Sequence, residues 1–237
     1  MNREVAPAPT PEDLATVART RVFFGHQSVG QDVLGGIRRL YADRGGPAPR
    51  VQDALIGANL DPLSKIADFD ARLRGGLAEQ VDVALMKLCY IDVTAATDVD
   101  ALVEAYRGTL AALEGDHPGV TFVHVTVPLT AERSAVGRLR ARLTRNDRYG
   151  PDENVVRERL NARLRAEYAG SHLLDLAAVE STRPDGTRVT GRHGGSDYFA
   201  LHDGYAADLG HLNEAGAAAA AAAWVTAVAR AAREARG

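Results

Sequence analysis

The residue types that could carry chemistry lie in two short segments near opposite ends of the 237-residue chain. Residues 23–30 place Ser28 where an apolar strand is predicted to stop and a helix to begin. Residues 208–216 place Asp208 three residues before His211, just ahead of an alanine-rich helix. A serine hydroxyl becomes a strong nucleophile when a base takes its proton, and a carboxylate fixes the tautomer of that base. Together the two segments could supply nucleophile, base and orienting acid for acyl transfer.

Strands and helices alternate along the chain, and they must position these segments. Hydrophobic patterning predicts strands at 21–24, 51–56, 81–86, 120–127 and 172–176, and helices at 29–43, 62–73, 98–114, 153–168 and from 213 onward. Strands that alternate with helices of about 10 to 17 residues imply a parallel sheet covered on both faces. We therefore expect an α/β fold with three layers, α/β/α, around a five-stranded, mostly parallel sheet. Without a break in composition, residues 1–237 are expected to form one domain, with the proline-rich residues 1–10 flexible.

Polar residues follow the predicted strands at the edge where active sites form in parallel α/β sheets, beyond the carboxyl ends of the strands. Besides Ser28, this edge collects several candidates for substrate contact: His26, Gln27, Gly57, Asn59, Tyr90 and Asp92. Residues 182–210 are long for a plain connection in a compact domain. Their mixture of aromatic and ionisable side chains, including His202 and Asp203, is unlike a disordered linker. We expect His202 and Asp203 also to contact substrate.

The two end segments resemble the nucleophile block and the Asp-x-x-His block of the SGNH/GDSL hydrolase family. The second match is the closer one, because Leu212, Asn213 and Gly216 follow His211 at the family's spacing. The resemblance spans nearly the whole chain as an order of elements, and it is specific at these two segments. It implies a flavodoxin-like sheet in which Ser28 attacks an ester carbonyl, His211 is the base and Asp208 orients it.

Other positions depart from the family's pattern. His26 and Gln27 stand where the family has Gly-Asp before its serine, and Ile91 replaces the oxyanion-hole asparagine that precedes the matching Asp92. The resemblance makes Gly57 the glycine whose amide contributes to the oxyanion hole. The candidates for the third oxyanion donor are Asn59, Gln27 and His26. Loss of one such donor typically costs about 10²- to 10³-fold in rate.

Each candidate also has a purely structural interpretation. Serine is a favoured N-cap, so Ser28 could merely cap the helix that follows it. Asp208 and His211 could form a turn with a surface histidine. His26 could be a histidine packed in the core, and Asp92 could brace a loop.

Several other classes of site fit the sequence poorly. The glycine spacing of residues 25–30 is that of a P-loop, but Gln31 and Asp32 stand where Lys and Ser/Thr are required. A zinc site would need ligands of the types found here, and these are His193, His202, Asp203, Asp208 and His211. Their spacing matches no known metal motif, so no metal and no cofactor are expected.

Composition limits the partners and the compartment. The formal net charge of -3 gives no electrostatic footprint for nucleic acid, and the arginine cluster at 138–148 is interpreted as a solvated helix face. Cys89 is the only cysteine, so an intrachain disulfide is excluded. A free cysteine is usually a small buried hydrophobic residue, and we expect this of Cys89. No signal peptide or run of about 18 apolar residues is recognised. We expect a cytoplasmic protein without membrane contact, whose C-terminal helix could pack against a second copy or another protein.

These observations leave three functional hypotheses. The first is a serine hydrolase that removes an acyl group from a small polar or sugar-like substrate. The second is an SGNH scaffold that carries out a transfer, cyclisation or elimination on an anionic small molecule in a biosynthetic pathway. The third is a non-catalytic binding subunit.

Overall fold

The computed structural model describes residues 8–133 and 148–234. Within these ranges the chain forms a five-stranded sheet in the order β2-β1-β3-β4-β5, with every neighbouring pair parallel. The strands are β1 Arg21–His26, β2 Arg50–Leu55, β3 Val83–Met86, β4 Thr121–Val125 and β5 Leu173–Leu174. This strand order is the flavodoxin-like one. The predicted α/β fold with a parallel five-stranded sheet is confirmed.

Helices cover both faces of the sheet. They are α1 Pro11–Ala18, α2 Val29–Arg44, α3 Pro62–Arg72, α4 Val99–Asp116, α5 Pro151–Glu167, α6 Leu176–Ser181 and α7 Glu214–Glu234. One face packs against α1, α2, α6 and α7, and the other against α3, α4 and α5. The central strand β3 is buried along its whole length, because in a covered parallel sheet both faces of a strand lie against helices.

Side-chain caps begin several of these helices. Thr10 and Asp13 form a capping box at α1, and Asp61 and Asp98 cap α3 and α4. These side chains accept backbone N–H groups that have no partner within the helix. At α7 the side chain of Asn213 likewise accepts the N–H of Gly216.

The alanine-rich α7 packs on one face of the sheet, beside α2 and α1. By length and composition it is the one helix in the described residues that could cross a membrane, yet 67% of its apolar window is buried inside the fold. Trp224 has no exposed surface and lies against Phe24 of β1 with the ring centroids 6.3 Å apart. The helix therefore packs on the chain's own sheet, while its contact with a partner protein stays a prediction.

The structure departs from the predicted elements in the last third of the chain. The predicted strand at 172–176 ends at Leu174, because Asp175 caps α6 by accepting the N–H of Ala178. The long stretch after residue 182 contains a small antiparallel hairpin, β6 Thr190–His193 and β7 Ser196–Phe199. Apart from Arg148, the arginine cluster at 138–148 lies outside the described residues, as do residues 1–7.

Candidate active site

Ser28 occupies the sharp turn between β1 and α2. Its backbone lies at φ 31° and ψ -93°, a conformation that a residue with a side chain rarely adopts and that concentrates at functional sites. The side chain makes no capping hydrogen bond to α2. The interpretation of Ser28 as a simple helix cap is therefore wrong: this half-buried residue does not use its hydroxyl to cap α2.

Asp208 and His211 form a tight unit in the loop before α7. His211 Nδ1 lies 2.8 Å from Asp208 Oδ2, while Asp208 Oδ1 accepts the N–H groups of Gly210 at 2.8 Å and His211 at 2.9 Å. Partial burial opposes ionisation of Asp208, but these hydrogen bonds outweigh it and lower the pKa of the carboxyl. An ionised carboxylate on Nδ1 favours the tautomer that leaves Nε2 free to accept a proton.

The ring of Tyr90 packs against this loop. It begins a short 3-10 turn, Tyr90–Asp92, and its buried ring lies edge-on to the His211 ring with centroids 5.9 Å apart. The buried Arg157 donates to the carbonyl of Tyr90 at 2.9 Å. Burial raises the pKa of the Tyr90 phenol, which therefore stays protonated. Tyr90 is placed as a wall beside His211.

The Gly57 loop lies next to Ser28 through the side chain of Gln27, which donates to the carbonyls of Ile56 at 3.1 Å and Gly57 at 3.0 Å. Gly57 has φ 53°, and any Cβ there would clash with the backbone of Lys65. Its N–H donates to Asp68 Oδ2 at 2.9 Å. The amide that the family resemblance assigns to the oxyanion hole is therefore already engaged in this structure.

Asp92 joins two loops at the same sheet edge. With Lys65 it forms an ion pair of 2.7 Å in which neither side chain is exposed. It also accepts the N–H groups of Cys89 at 2.6 Å and Leu60 at 3.0 Å. Lys65 donates further to Asn59 Oδ1 at 3.0 Å, which leaves the Asn59 amide nitrogen as a donor. Asp92 thus braces the loops, as its structural interpretation predicts.

The remaining predicted site residues are less closely tied to Ser28 and His211. His26 is fully buried, with Nε2 3.2 Å from Asp53 Oδ2, and burial lowers the pKa of its imidazole. His202 packs against Tyr205, and Asp203 is exposed at the start of a 3-10 turn, Asp203–Tyr205. Cys89 is buried, as predicted. In residues 8–133 and 148–234 no three His, Cys, Asp or Glu side chains are grouped to hold a metal ion.

Three ionisable residues near this edge, the half-buried Asp32 and the buried Lys87 and Glu180, were not predicted from the sequence. Asp32 on α2 accepts the N–H of Leu212 at 3.1 Å, and Lys87 directly follows β3 with its ammonium fully buried. Glu180 on α6 is buried as well. Asp32 lies inside a predicted helix and Glu180 between predicted elements, so only their position in the folded chain sets them apart. For Asp32 a weak signal existed, since it stands four residues after Ser28, on the same side of α2.

Comparison with known proteins gives likeness of structure only. No protein-family model and no curated protein matches the chain. Among solved structures it is similar to a "putative platelet activating factor" from Streptococcus pneumonia, with TM-score 0.53 and 16% identity over 90% of this chain and 86% of that one. It also aligns with a "putative lipolytic protein of G-D-S-L family" from Desulfitobacterium hafniense, with TM-score 0.48 and 10% identity over 88% of this chain and 99% of that one. The first likeness shows that this chain and the streptococcal protein share a fold.

Proposed function

We propose that this protein is a serine hydrolase of the SGNH/GDSL type, which removes an acyl group from a small polar or sugar-like substrate. His211 takes the proton of Ser28 while the hydroxyl oxygen attacks the acyl carbon, and Asp208 holds the imidazole in the required tautomer. The leaving alcohol then receives the proton, and water activated by His211 releases the acid from the acyl-serine. The strained Ser28, whose hydroxyl caps no helix, is the observation that carries the proposal.

The oxyanion that forms on the acyl oxygen needs hydrogen-bond donors in fixed positions. The N–H of Ser28 is one candidate, because it lies at the N-terminus of α2, where the helix dipole favours negative charge. The amide nitrogen of Asn59 is a second, since Lys65 fixes the orientation of that side chain. Gly57 would contribute only after its N–H leaves Asp68.

Labelling with a fluorophosphonate tests the proposal, because this reagent modifies an activated serine. We expect a single adduct, mapped to Ser28 by mass spectrometry and abolished by Ser28→Ala. Ser196→Ala is the matched control, because Ser196 lies in the exposed strand β7 and has no part in the proposal. His211→Ala should slow labelling by about 10²-fold or more, since the base is lost. Absence of labelling at every pH between about 6 and 9 would contradict the proposal.

A second function is favoured by the oxyanion region. The Gly57 amide faces Asp68, and Ile91 stands where the family has its asparagine, so ordinary ester hydrolysis lacks two family donors. The alternative is a transfer, cyclisation or elimination on an anionic small molecule. Failure to hydrolyse simple acetyl esters, together with sulfate or phosphate binding that Ser28→Ala leaves intact, would support this alternative over hydrolysis.

A further inference from the structure

Asp32 links the helix that carries Ser28 to the loop that carries His211. It lies in the first turn of α2, one helical turn after Ser28. Its Oδ2 accepts the backbone N–H of Leu212, the residue directly after His211, at 3.1 Å. This contact joins two parts of the chain that are 180 residues apart in sequence. A displacement of Asp32 would therefore change the position of His211 relative to Ser28.

Charged and titratable groups face Asp32 from three other parts of the described chain. His211 and Asp208 face it from the loop before α7, Lys87 from the end of β3, and Glu180 from α6. Lys87 donates only to the Leu88 carbonyl at 3.3 Å and to Cys89 Sγ at 3.5 Å, so its buried charge has no direct carboxylate partner among the described residues. Burial raises the pKa of Asp32, whereas the Leu212 amide, His211 and Lys87 favour its charged form.

We propose that Asp32 is a second carboxylate of the active centre, a positioning residue that holds the His211 loop against α2 and whose negative charge stabilises the protonated imidazole. The inference rests on the proposed function, in which His211 becomes positively charged when it takes the proton of Ser28.

Asp208 and Asp32 have different roles because their side chains differ in exposure. The side chain of Asp208 is 59% exposed and contacts Nδ1 directly, so it sets the tautomer while water screens much of its charge. Asp32 is half-buried and bonded to the backbone, so its charge acts in a medium of lower dielectric constant. Asp32 thus contributes electrostatically to His211 without touching the substrate.

The test compares charge removal at Asp32 with the same change at a distant site. Asp32→Asn keeps the size of the side chain and an oxygen for the Leu212 amide, whereas Asp43→Asn changes an exposed carboxylate at the other end of α2. We expect Asp32→Asn to lower kcat/KM for an acyl ester about 10-fold, which corresponds to a change of roughly one pH unit in the titration of the base. The acidic limb of its pH–rate profile should move to lower pH. Asp43→Asn should change neither quantity.

Titration of the unliganded protein, followed by NMR of the His211 ring, separates this inference from the proposed function. We expect the titration midpoint of the ring to move to lower pH in Asp32→Asn and to stay in place in Asp43→Asn. If the midpoint moves but the protein hydrolyses no ester, the role of Asp32 stands and the hydrolase function is rejected. An unmoved midpoint in an active hydrolase would reject the role of Asp32 alone. Should Asp32→Asn not fold, the Asp32→Glu and Asp32→Gln pair gives the same comparison of charged with neutral.

Discussion

Glu180 is a carboxyl group that the fold keeps away from water. Its Oε2 accepts the N–H of Leu129 at 2.7 Å, while Oε1 has no hydrogen-bond partner among the described residues. Burial raises the pKa of Glu180 from 4.5 to about 8, although the Leu129 amide and the charges of Lys87 and Arg157 oppose the shift. At neutral pH the group therefore holds its proton in the folded protein and has lost it in the unfolded chain.

This difference predicts how stability depends on pH. Between pH 4.5 and about 8 the folded state binds more protons at Glu180 than the unfolded state, so the free energy of unfolding falls as pH rises. Glu180→Gln removes the titration and should flatten this decline by up to about 1.4 kcal/mol per pH unit. Urea unfolding from about pH 5 to 8 measures, for both proteins, how the free energy of unfolding changes with pH. The range lies between the pKa values of Glu180 in the unfolded and folded states. Equal slopes would contradict the expected ionisation behaviour.

At the scale of elements, the loop between β2 and α3 is held in an unfavourable conformation. Leu60 has φ 70°, and its N–H is fixed by the buried Asp92. The three exposed large hydrophobic side chains of the described residues lie in or beside this loop, and they are Leu55, Leu60 and Leu63. Because the left-handed conformation costs a residue with a Cβ roughly 1–2 kcal/mol, the loop must be maintained by its contacts with the Lys65–Asp92 pair.

Paired substitutions can measure this strain. We expect Leu60→Gly to be more stable than Leu60→Ala by about 1 kcal/mol, because glycine adopts a positive φ without a steric penalty. The order should reverse at Leu63, in the first turn of α3, where glycine is about 1 kcal/mol worse than alanine. Chemical denaturation of the four variants gives both differences. If alanine is the better residue at both positions, Leu60 is not strained in solution.

The elements also show how far local sequence specifies this molecule. Residue patterning predicted all five strands of the sheet and the helices α2, α3, α4, α5 and α7, but not the short α6 that follows β5. Patterning did not predict the β6–β7 hairpin, whose strands are short and largely exposed. Nor did it show that Gly57 donates to Asp68, a contact made by side-chain placement after folding. The Asp208–His211 pair was predictable because both partners belong to one short loop.

On the scale of the whole molecule, the packing of α2 on α7 links the two segments that are proposed to carry the site. Ser28 directly precedes α2, and His211 lies shortly before α7. The two helices make close contact at Gly36, where any Cβ would overlap the carbonyl oxygen of Ala217. The absence of a side chain at Gly36 therefore sets the distance between the helices and, through them, the relative position of Ser28 and His211.

The same glycine-to-alanine substitution at the neighbouring positions Gly35 and Gly36 tests this packing. Gly36→Ala must push the helices apart, and it should destabilise the protein by about 1–3 kcal/mol. Gly35→Ala meets only the ends of Arg38 and Arg39 at 3.9 Å, so it should stabilise α2 by up to about 1 kcal/mol. Under conditions where both variants are folded, fluorophosphonate labelling of Ser28 should slow in Gly36→Ala alone. Unchanged labelling in a destabilised Gly36→Ala would mean that α2–α7 packing supports the fold without setting the geometry of the site.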